Sequence, residues 1–341
     1  MKTPTEFRAV IRSFAVALVI YLTALSEARA DKLVLVAGGP GGDSSTTATT
    51  AKLNKPFAVA FDTAGNMYIG EFEGCSIRKV DTHGVISTIS GDGKPGFAGD
   101  GGPASGGKFN LIHDIVIGPD GNLYIADSSN RRVRKIDLKT NTLTTIAGDG
   151  TSKASGDGGP SDKSGLDGVA SLFFDPTGGT LYLSGFSKFV RTIDMKTGVI
   201  QTVKDLTGGR SIALDSKGNL YVAGGKTLRV RTPDGKVRVL LDDKHTGGSN
   251  LALGDNPKHL GIDAQDNVLI CDEGHSLIRK YLPAEDKLVT IAGTGKAGGS
   301  GLGGAADQTQ INRPHGVYFH RVDGMIYIAD SWNDRVLRIE P

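Results

Sequence analysis

Residues 112–137 read IHDIVIGPDGNLYIADSSNRRVRKID and carry the pattern that decides the fold. A short apolar run is followed by a turn of Asp, Gly and Asn and then by the apolar run Leu-Tyr-Ile-Ala. A second polar turn leads into a segment in which apolar and charged residues alternate. Asp, Gly and Asn tolerate the positive φ that tight hairpins need. The segment therefore predicts three antiparallel β-strands joined by tight turns.

Five further segments align with this one, at residues 56–81, 169–194, 209–233, 257–282 and 314–340. A tyrosine marks the second predicted strand in most copies, and a leucine replaces it in one: Tyr68, Tyr124, Tyr182, Tyr221, Leu269 and Tyr327. A fourth strand follows, as in LTTIA at 143–147. The copies recur about every 40 to 60 residues, which is typical of propeller blades. We expect an all-β fold, a six-bladed β-propeller with four-stranded antiparallel blades.

The two ends of the chain predict how the ring closes. The sixth copy stops at Pro341 after its third strand and so lacks a fourth. Residues 33–38, LVLVAG, resemble LTTIAG at 143–148 and LVTIAG at 288–293, which are both predicted fourth strands. We expect the N-terminal strand to complete the last blade, which removes two open sheet edges.

The first thirty residues differ from the rest. Basic residues precede an apolar run at 14–25, and small residues follow at 28–30, the pattern of a secretory signal peptide. An uncleaved membrane anchor is the alternative, although the run is short for a bilayer. We expect a signal peptide at 1–30, a propeller at 31–341, no membrane attachment after cleavage, and a secreted or periplasmic location.

Composition limits the partners. The chain has 39 Lys and Arg against 37 Asp and Glu, with no run of five like charges, which excludes a nucleic-acid partner bound by phosphate neutralisation. Cys75 and Cys271 fall in the first and fifth copies, which are not neighbours in a six-membered ring, so we expect free thiols, with one disulfide as the alternative. We also expect a monomer.

The repeat resembles the NHL repeat family in three motifs: Gly-Asn-Leu-Tyr-Ile-Ala-Asp, Asn-x-Arg-Val-Arg-Lys and Thr-Ile-Ala-Gly. The loops at 96–104 and 155–161, which share Gly-Asp-Gly-Gly-Pro, are similar to those of exported bacterial members. The resemblance implies a six-bladed propeller. It implies no single activity, since members include binding platforms and enzymes.

One ring of aligned residues opens the six inner strands at the central channel: Phe57, His113, Ala170, Arg210, Lys258 and His315. Its basic and imidazole groups are candidates for binding an anionic ligand or a metal, and the alternative is a solvated rim. His259 and Asp114 would join this ring if the register slipped by one residue.

Two resemblances within propellers suggest metals. Peptide-amidating lyases of this family hold zinc with three channel histidines. His113 and His315 match two of these histidines, whereas His259 is one position out of register. Two histidines are too few for a zinc site with three protein ligands. Gluconolactonase-like propellers hold calcium with carboxylates, and a matching set ends the second strands: Glu71, Asp127, Asp272 and Asp330.

A structural role is the alternative for these carboxylates, each capping its turn or pairing with an arginine, as Asp127 with Arg132 and Asp330 with Arg335. The loops at 96–104 and 155–161 are expected to be inter-blade connections, with calcium binding as the alternative. No cofactor is predicted; calcium and zinc remain the candidate metals. Trp332, the only tryptophan, is expected in an exposed turn.

We therefore expect a binding or scaffolding module for a protein, peptide or glycan. The alternative is a metal-dependent channel enzyme of the lactonase or amidating-lyase type. Long loops at 38–56, 91–110, 148–167 and 293–312 favour recognition on the face that carries them. The fourth blade is expected to lack its exit loop, near residues 205–209, which leaves that rim asymmetric.

Overall fold

The computed structural model describes residues 31–42, 46–186, 189–207, 209–255 and 257–341. Within these ranges the chain forms 24 β-strands in six four-stranded antiparallel sheets, which confirms the six-bladed propeller. The predicted signal peptide lies outside the described residues. In the part of the chain that the structure describes, no helix is long and apolar enough to span a membrane.

Each blade is one sheet, and blades 1 to 5 place their strands side by side in chain order. Blade 1 comprises β2 (Pro56–Phe61), β3 (Met67–Glu71), β4 (Ser76–Val80) and β5 (Ile86–Ser90). Blade 2 comprises β6 (Ile112–Ile117), β7 (Leu123–Asp127), β8 (Arg132–Asp137) and β9 (Thr142–Ala147). Blade 3 comprises β10 (Ser171–Phe174), β11 (Thr180–Ser184), β12 (Phe189–Asp194) and β13 (Ile200–Thr207).

Blade 4 comprises β14 (Ser211–Leu214), β15 (Leu220–Gly224), β16 (Thr227–Arg231) and β17 (Val237–Leu241). Blade 5 comprises β18 (His259–Ile262), β19 (Val268–Asp272), β20 (Leu277–Leu282) and β21 (Lys287–Ala292). Blade 6 comprises β22 (Gly316–His320), β23 (Met325–Asp330), β24 (Arg335–Glu340) and β1 (Lys32–Ala37). Short 3-10 helices lie at Ala104–Gly106, Ser161–Lys163, Glu273–His275, Ala306–Gln308 and Ser331–Asn333.

The N-terminal strand closes the ring. β1 pairs antiparallel with β24, with Leu33 opposite Ile339, so the last blade takes its fourth strand from the other end of the chain. Gly38, just after β1, has a φ of +89° and lies so close to β24 that an added Cβ would be 2.3 Å from the carbonyl oxygen of Asp334. The closure predicted from the chain ends is confirmed.

The first strands of the blades line the channel, because each contacts the first strand of the next blade around the ring. In a four-stranded antiparallel sheet, the start of the first strand, the end of the second and the end of the fourth lie at one edge. The inner-strand starts, the turns between second and third strands and the long inter-blade loops therefore share one face. We call this the loop face.

Turns on the opposite face are fastened by a repeated contact. The hydroxyl of Tyr68 donates to Asp62 at 2.9 Å, and that of Tyr124 donates to Asp120 at 2.9 Å. Tyr327 makes the same contact in blade 6. In blades 1, 2 and 6 the tyrosine that marks the repeat thus packs its ring in the core while its hydroxyl holds the turn that precedes it.

One expectation about the loops is wrong. The short connection near 205–209 joins β13 to β14, so it is the exit from blade 3, whereas blade 4 leaves through a long loop at 242–258. The error arose because the third repeat has a longer fourth strand, Ile200–Thr207, which takes up residues that other copies use as loop.

Candidate functional site

The loop-face end of the channel, which we call the channel mouth, gathers the ring of residues that opens the inner strands. The rings of Phe57 and His315 stack with centroids 3.8 Å apart, and the His113 ring meets Phe57 edge-on at 5.5 Å. Arg210 and Lys258 complete the arc on the far side, where their charges act on both histidines. The five polar and aromatic ring residues therefore converge on one site.

Aromatic side chains from the turns join this ring. Phe72, just after β3, stacks on Phe57 at 4.1 Å, and Trp332, in the 3-10 helix after β23, stacks on His315 at 4.9 Å. The guanidinium of Arg313 lies 4.7 Å from the Trp332 ring centroid. The result is a continuous ladder of stacked groups along blades 1 and 6.

Burial of the ladder corrects two expectations. Phe57 is 2% exposed and His315 is 7% exposed, so these positions are packed rather than solvated rim residues. Trp332 is half-buried against His315 rather than isolated in an exposed turn. Phe186 is the exception, since its side chain, in the turn after β11, stays 45% exposed beside the mouth.

His113 contacts aromatic rings from the blades on both sides of its own. Its ring contacts Phe72 at 4.9 Å and Phe186 at 5.1 Å. Its Nδ1 atom is buried and has no hydrogen-bond partner among the described residues. Burial, with the charges of Arg210 and Lys258, holds the pKa of His113 well below its usual range, so the ring is neutral. Burial and the same cations lower the pKa of His315.

The cations of the mouth are only partly compensated. Arg210 lies over the Phe186 ring at 5.2 Å, and burial lowers the pKa of its guanidinium. Lys258 is 3.7 Å from the carboxylate of Glu273, which also accepts a hydrogen bond from Arg313. Burial, followed by the charge of Arg210, lowers the pKa of Lys258. Glu273 is thus the single carboxylate paired with these cations in the described part of the mouth.

A second tier of polar side chains lies one residue deeper along the inner strands. Asp114 accepts a hydrogen bond from the Leu172 amide of the next blade at 2.8 Å, and His259 Nδ1 lies 3.0 Å from the Val317 carbonyl oxygen. His259 Nε2 is 3.5 Å from Asp114. β6 has a β-bulge between Ile112 and Asp114, and Asp114 and His259 contact each other rather than a residue of the mouth ring. Ser171 and Ser211 hold the same position in blades 3 and 4.

A cavity of about 510 Å³ reaches this tier from the opposite face. His259 and Tyr318 line it at depth, and Pro176, Ser216 and Arg321 stand at its outer end. The Tyr318 hydroxyl donates to the carbonyl oxygen of Phe57 at 3.3 Å. Tyr318 therefore lines this cavity and also contacts the backbone of the mouth ring.

The carboxylates that end the second strands serve their own blades. Each accepts a hydrogen bond from a backbone amide of the incoming loop, at 2.7–3.1 Å: Glu71 from Asn54, Asp127 from Asn110, Asp272 from Gly254 and Asp330 from Asn312. Each also lies within 4.0 Å of an arginine of the third strand. These carboxylates therefore have the structural role that was the alternative to metal binding, in which each one caps its turn or pairs with an arginine.

The arginine partners agree with expectation in one blade and not in another. Asp330 pairs with Arg335 at 2.7 Å, as expected. Asp127 pairs with Arg134 at 3.2 Å, not with Arg132, whose guanidinium instead lies 4.0 Å from the Phe97 ring centroid. Arg134 is the residue whose side chain points into the blade, where it is fully buried. Burial raises the pKa of Asp127 to about 6.

The Gly-Asp-Gly-Gly-Pro loops also bind arginines. Asp100 accepts from the buried Arg134 at 2.9 Å, and Asp157 accepts from Arg191 at 2.6 Å. These loops are inter-blade connections that supply a counter-charge to the third strand. In the described residues, no three His, Cys, Asp or Glu side chains lie close enough together to hold a metal ion. Both cysteines are buried and unpaired, as expected.

Known proteins identify the repeat. The NHL repeat model matches residues 109–136, which span the first three strands of blade 2, and the Teneurin NHL domain model matches residues 38–95. Residues 109–136 are therefore an NHL repeat. The two matches cover blade 1 and the first three strands of blade 2, and the same strand pattern continues through the other four blades of this NHL-repeat protein.

Its relatives are longer proteins. It is 25% identical over 338 residues to Protein SUPPRESSOR OF QUENCHING 1, chloroplastic, of Arabidopsis thaliana, covering 87% of this chain and 31% of that protein. It is 25% identical over 300 residues to NHL repeat-containing protein 2 of Gallus gallus, covering 69% and 41% respectively. The NHL-repeat chain thus spans less than half the length of these relatives.

A solved structure shares the fold. An auxiliary nutrient binding protein from Bacteroides thetaiotaomicron VPI-5482 superposes with a TM-score of 0.66 at 14% identity, covering 91% of this chain and 76% of that one. A likeness at this level of identity shows the architecture alone.

Aligning the inner strands did not find every residue of the mouth. Phe72, Phe186, Trp332 and Arg313 were missed, because three of them lie in turns and the fourth lies in a loop. A usable signal exists for the turns: in a propeller the turn after the second strand lies on the same face as the start of the first. Aromatic residues one or two positions after that strand are therefore candidates for the channel mouth.

Proposed function

We propose that this NHL-repeat protein is an exported binding module that seats part of a protein, peptide or glycan ligand in the channel mouth. The observation that carries the proposal is the convergence of aromatic and basic side chains from all six blades on one end of the channel. Aromatic residues and arginine are the groups enriched where binding energy concentrates.

Rigidity supports this proposal. The ladder of Phe72, Phe57, His315 and Trp332 is stacked ring on ring, so its members lose little conformational freedom when a ligand arrives. Phe186 keeps an exposed ring at the edge of this packed group. Long loops surround the mouth on the same face, and loops held by a rigid scaffold are where recognition usually resides.

Binding can be tested without knowing the ligand. The full chain would be screened on an array of acidic and neutral oligosaccharides and on a displayed random peptide library. We expect the wild type to bind some members of these libraries and the Trp332→Ala variant to lose that binding, because the ladder then lacks its outer ring. Val239→Ala is the control, because this 54% exposed side chain lies on the outer strand of blade 4. Binding that survives Trp332→Ala would contradict a site at the mouth.

The proposed export has its own test. The full chain would be expressed in a bacterial host, and the periplasm and medium compared with the cytosol. We expect an exported protein whose N-terminus, read by sequencing, is Asp31, because the signal pattern ends at residues 28–30. A full-length protein retained in the cytosol would contradict export and leave the binding proposal standing.

A further inference from the structure

The channel mouth has two unlike sides. Blades 1 and 6 contribute the aromatic ladder, whose ring faces are covered by one another. Blades 2 to 5 contribute His113, Arg210 and Lys258, with the exposed ring of Phe186 beside them. The ladder therefore forms one packed side of the mouth, and the charged and exposed groups that a ligand could contact lie on the other side, which we call the basic side.

The basic side has more positive charge than the protein neutralises. Arg210 makes no ion pair and no side-chain hydrogen bond within the described residues, and its contact is the Phe186 ring at 5.2 Å. Lys258 shares the carboxylate of Glu273 with Arg313. Since a guanidinium held away from water is costly without an anion, an incoming anionic group gains from binding here.

Unpartnered polar atoms lie on the same side. His113 Nδ1, Ser171 Oγ and Ser211 Oγ are all buried and lack hydrogen-bond partners among the described residues. They belong to blades 2, 3 and 4, and the two serines lie one residue deeper than the mouth ring. Buried polar atoms are nearly always hydrogen-bonded, so three orphans beside an uncompensated arginine indicate groups that a ligand satisfies.

We propose that the basic side of the channel mouth binds the carboxylate of an acidic sugar unit in a glycan. The carboxylate lies between Arg210 and Lys258, the sugar hydroxyls face the unpartnered atoms of blades 2 to 4, and an apolar face of the sugar ring rests on Phe186. This inference rests on the proposed function and names its ligand class.

The unpartnered atoms favour a sugar over a peptide carboxylate. Each sugar hydroxyl both donates and accepts, as serine hydroxyls do, and the neutral His113 ring can take either role. A peptide terminus would bring a carboxylate but few hydroxyls for Ser171 and Ser211. Its backbone amides pair best with an open strand edge, and at the inner strands a side chain can already occupy the edge amide, as Asp114 does for the Leu172 N–H.

Binding should be coupled to a proton. The charged and titratable groups that act on His113 from the packed elements are Arg210, Lys258 and His315. Burial and the two cations hold the pKa of His113 well below its usual range. A bound carboxylate opposes both cations and so raises that pKa. By linkage, the sugar acid binds more tightly as pH falls, and binding takes up a proton.

The test uses glucuronate and glucose, which share a ring and differ in the carboxylate. Binding to the full chain would be followed by the imidazole resonances of His113 and His315 in NMR titrations at pH 5.5 and 7.5. We expect glucuronate to bind roughly tenfold or more tightly than glucose. We also expect its affinity to be higher at the lower pH, and this pH dependence to be absent in His113→Gln.

Matched variants locate the contact. Arg210→Gln should weaken glucuronate about tenfold or more, and Lys258→Gln should weaken it in the same direction. Arg132→Gln is the control, because Arg132 also lies over a phenylalanine ring but outside the mouth. A Phe186→Ala effect on glucuronate without any Arg210→Gln effect would overturn the carboxylate placement.

A third probe, N-acetylglycinate, supplies a peptide-like carboxylate. Binding equal to that of glucuronate would overturn the sugar assignment, while much weaker binding supports it. If glucuronate fails to bind but an array ligand is lost on Trp332→Ala and kept on Arg210→Gln, this inference falls and the proposed function stands. If array binding ignores both variants, the proposed function falls.

Discussion

Leu33 gives the sharpest test of the closed ring. It is fully buried in β1, where it packs with Leu269, Ile311 and Leu337 across blades 5 and 6. Replacing a buried leucine by alanine removes the transferred methyl groups and leaves a cavity, at a cost of about 3 kcal/mol. We expect Leu33→Ala to lower the free energy of unfolding by about that amount.

The control is the same position in a blade built from contiguous sequence. Leu143 in β9 is also fully buried, and each of the two leucines pairs with an isoleucine of a third strand. Equilibrium urea unfolding of Leu33→Ala and Leu143→Ala should give losses that agree within about 1 kcal/mol, whereas half-buried Val34→Ala should cost less. A Leu33→Ala variant as stable as the wild type, beside a destabilised Leu143→Ala, would refute the closure.

Three further predictions concern the loops and metals. Gly148→Ala should lower the free energy of unfolding, measured by urea titration, by more than about 1 kcal/mol, because the φ of Gly148 is +90° and an added Cβ would lie 2.2 Å from a carbonyl oxygen. Gly121→Ala should lower it less, because Gly121 has a φ of +75° but open space around it. Asp127→Ala should lower the free energy of unfolding by about 3 kcal/mol, because it removes a buried partner of the buried Arg134. Asp100 is the more exposed partner of Arg134, so Asp100→Ala should lower it by less than half as much. Equal losses for the two variants would contradict this ranking. Chelation with EDTA should leave the melting temperature unchanged, because the second-strand carboxylates are engaged by amides and arginines; a lowered melt would indicate a metal in the fold.

The repeats made the architecture predictable. Strand periodicity, the turn residues and the match between 33–38 and the fourth strands together specified six blades and their closure. The same alignment placed Phe57, His113, Arg210, Lys258 and His315 at one end of the channel. The alignment predicts this grouping because residues at the same position of each repeated inner strand lie at the same depth along the channel.

Contacts made by loops could not be predicted in the same way. Asp127 pairs with Arg134 rather than with Arg132, and a β-bulge lies between Val133 and Arg134. Strand alternation alone would place the two arginines on the same face of β8, so it could not tell them apart. Trp332 and Phe186 reach the mouth through turns whose direction depends on how neighbouring blades pack. The ion pair between Asp100 and Arg134 likewise could not be predicted, because the two residues are far apart in the sequence and no local pattern links them.

The most direct test of binding at the mouth compares two phenylalanines of equal exposure. Phe186, beside His113, and Phe97, packed on Arg132 away from the channel, are both 45% exposed. Binding isotherms of Phe186→Ala and Phe97→Ala would be measured with the oligosaccharide or peptide that gives the strongest array signal. The account predicts that Phe186→Ala weakens binding about tenfold or more while Phe97→Ala leaves it unchanged. Equal affinities for the two variants would contradict a binding site at the channel mouth.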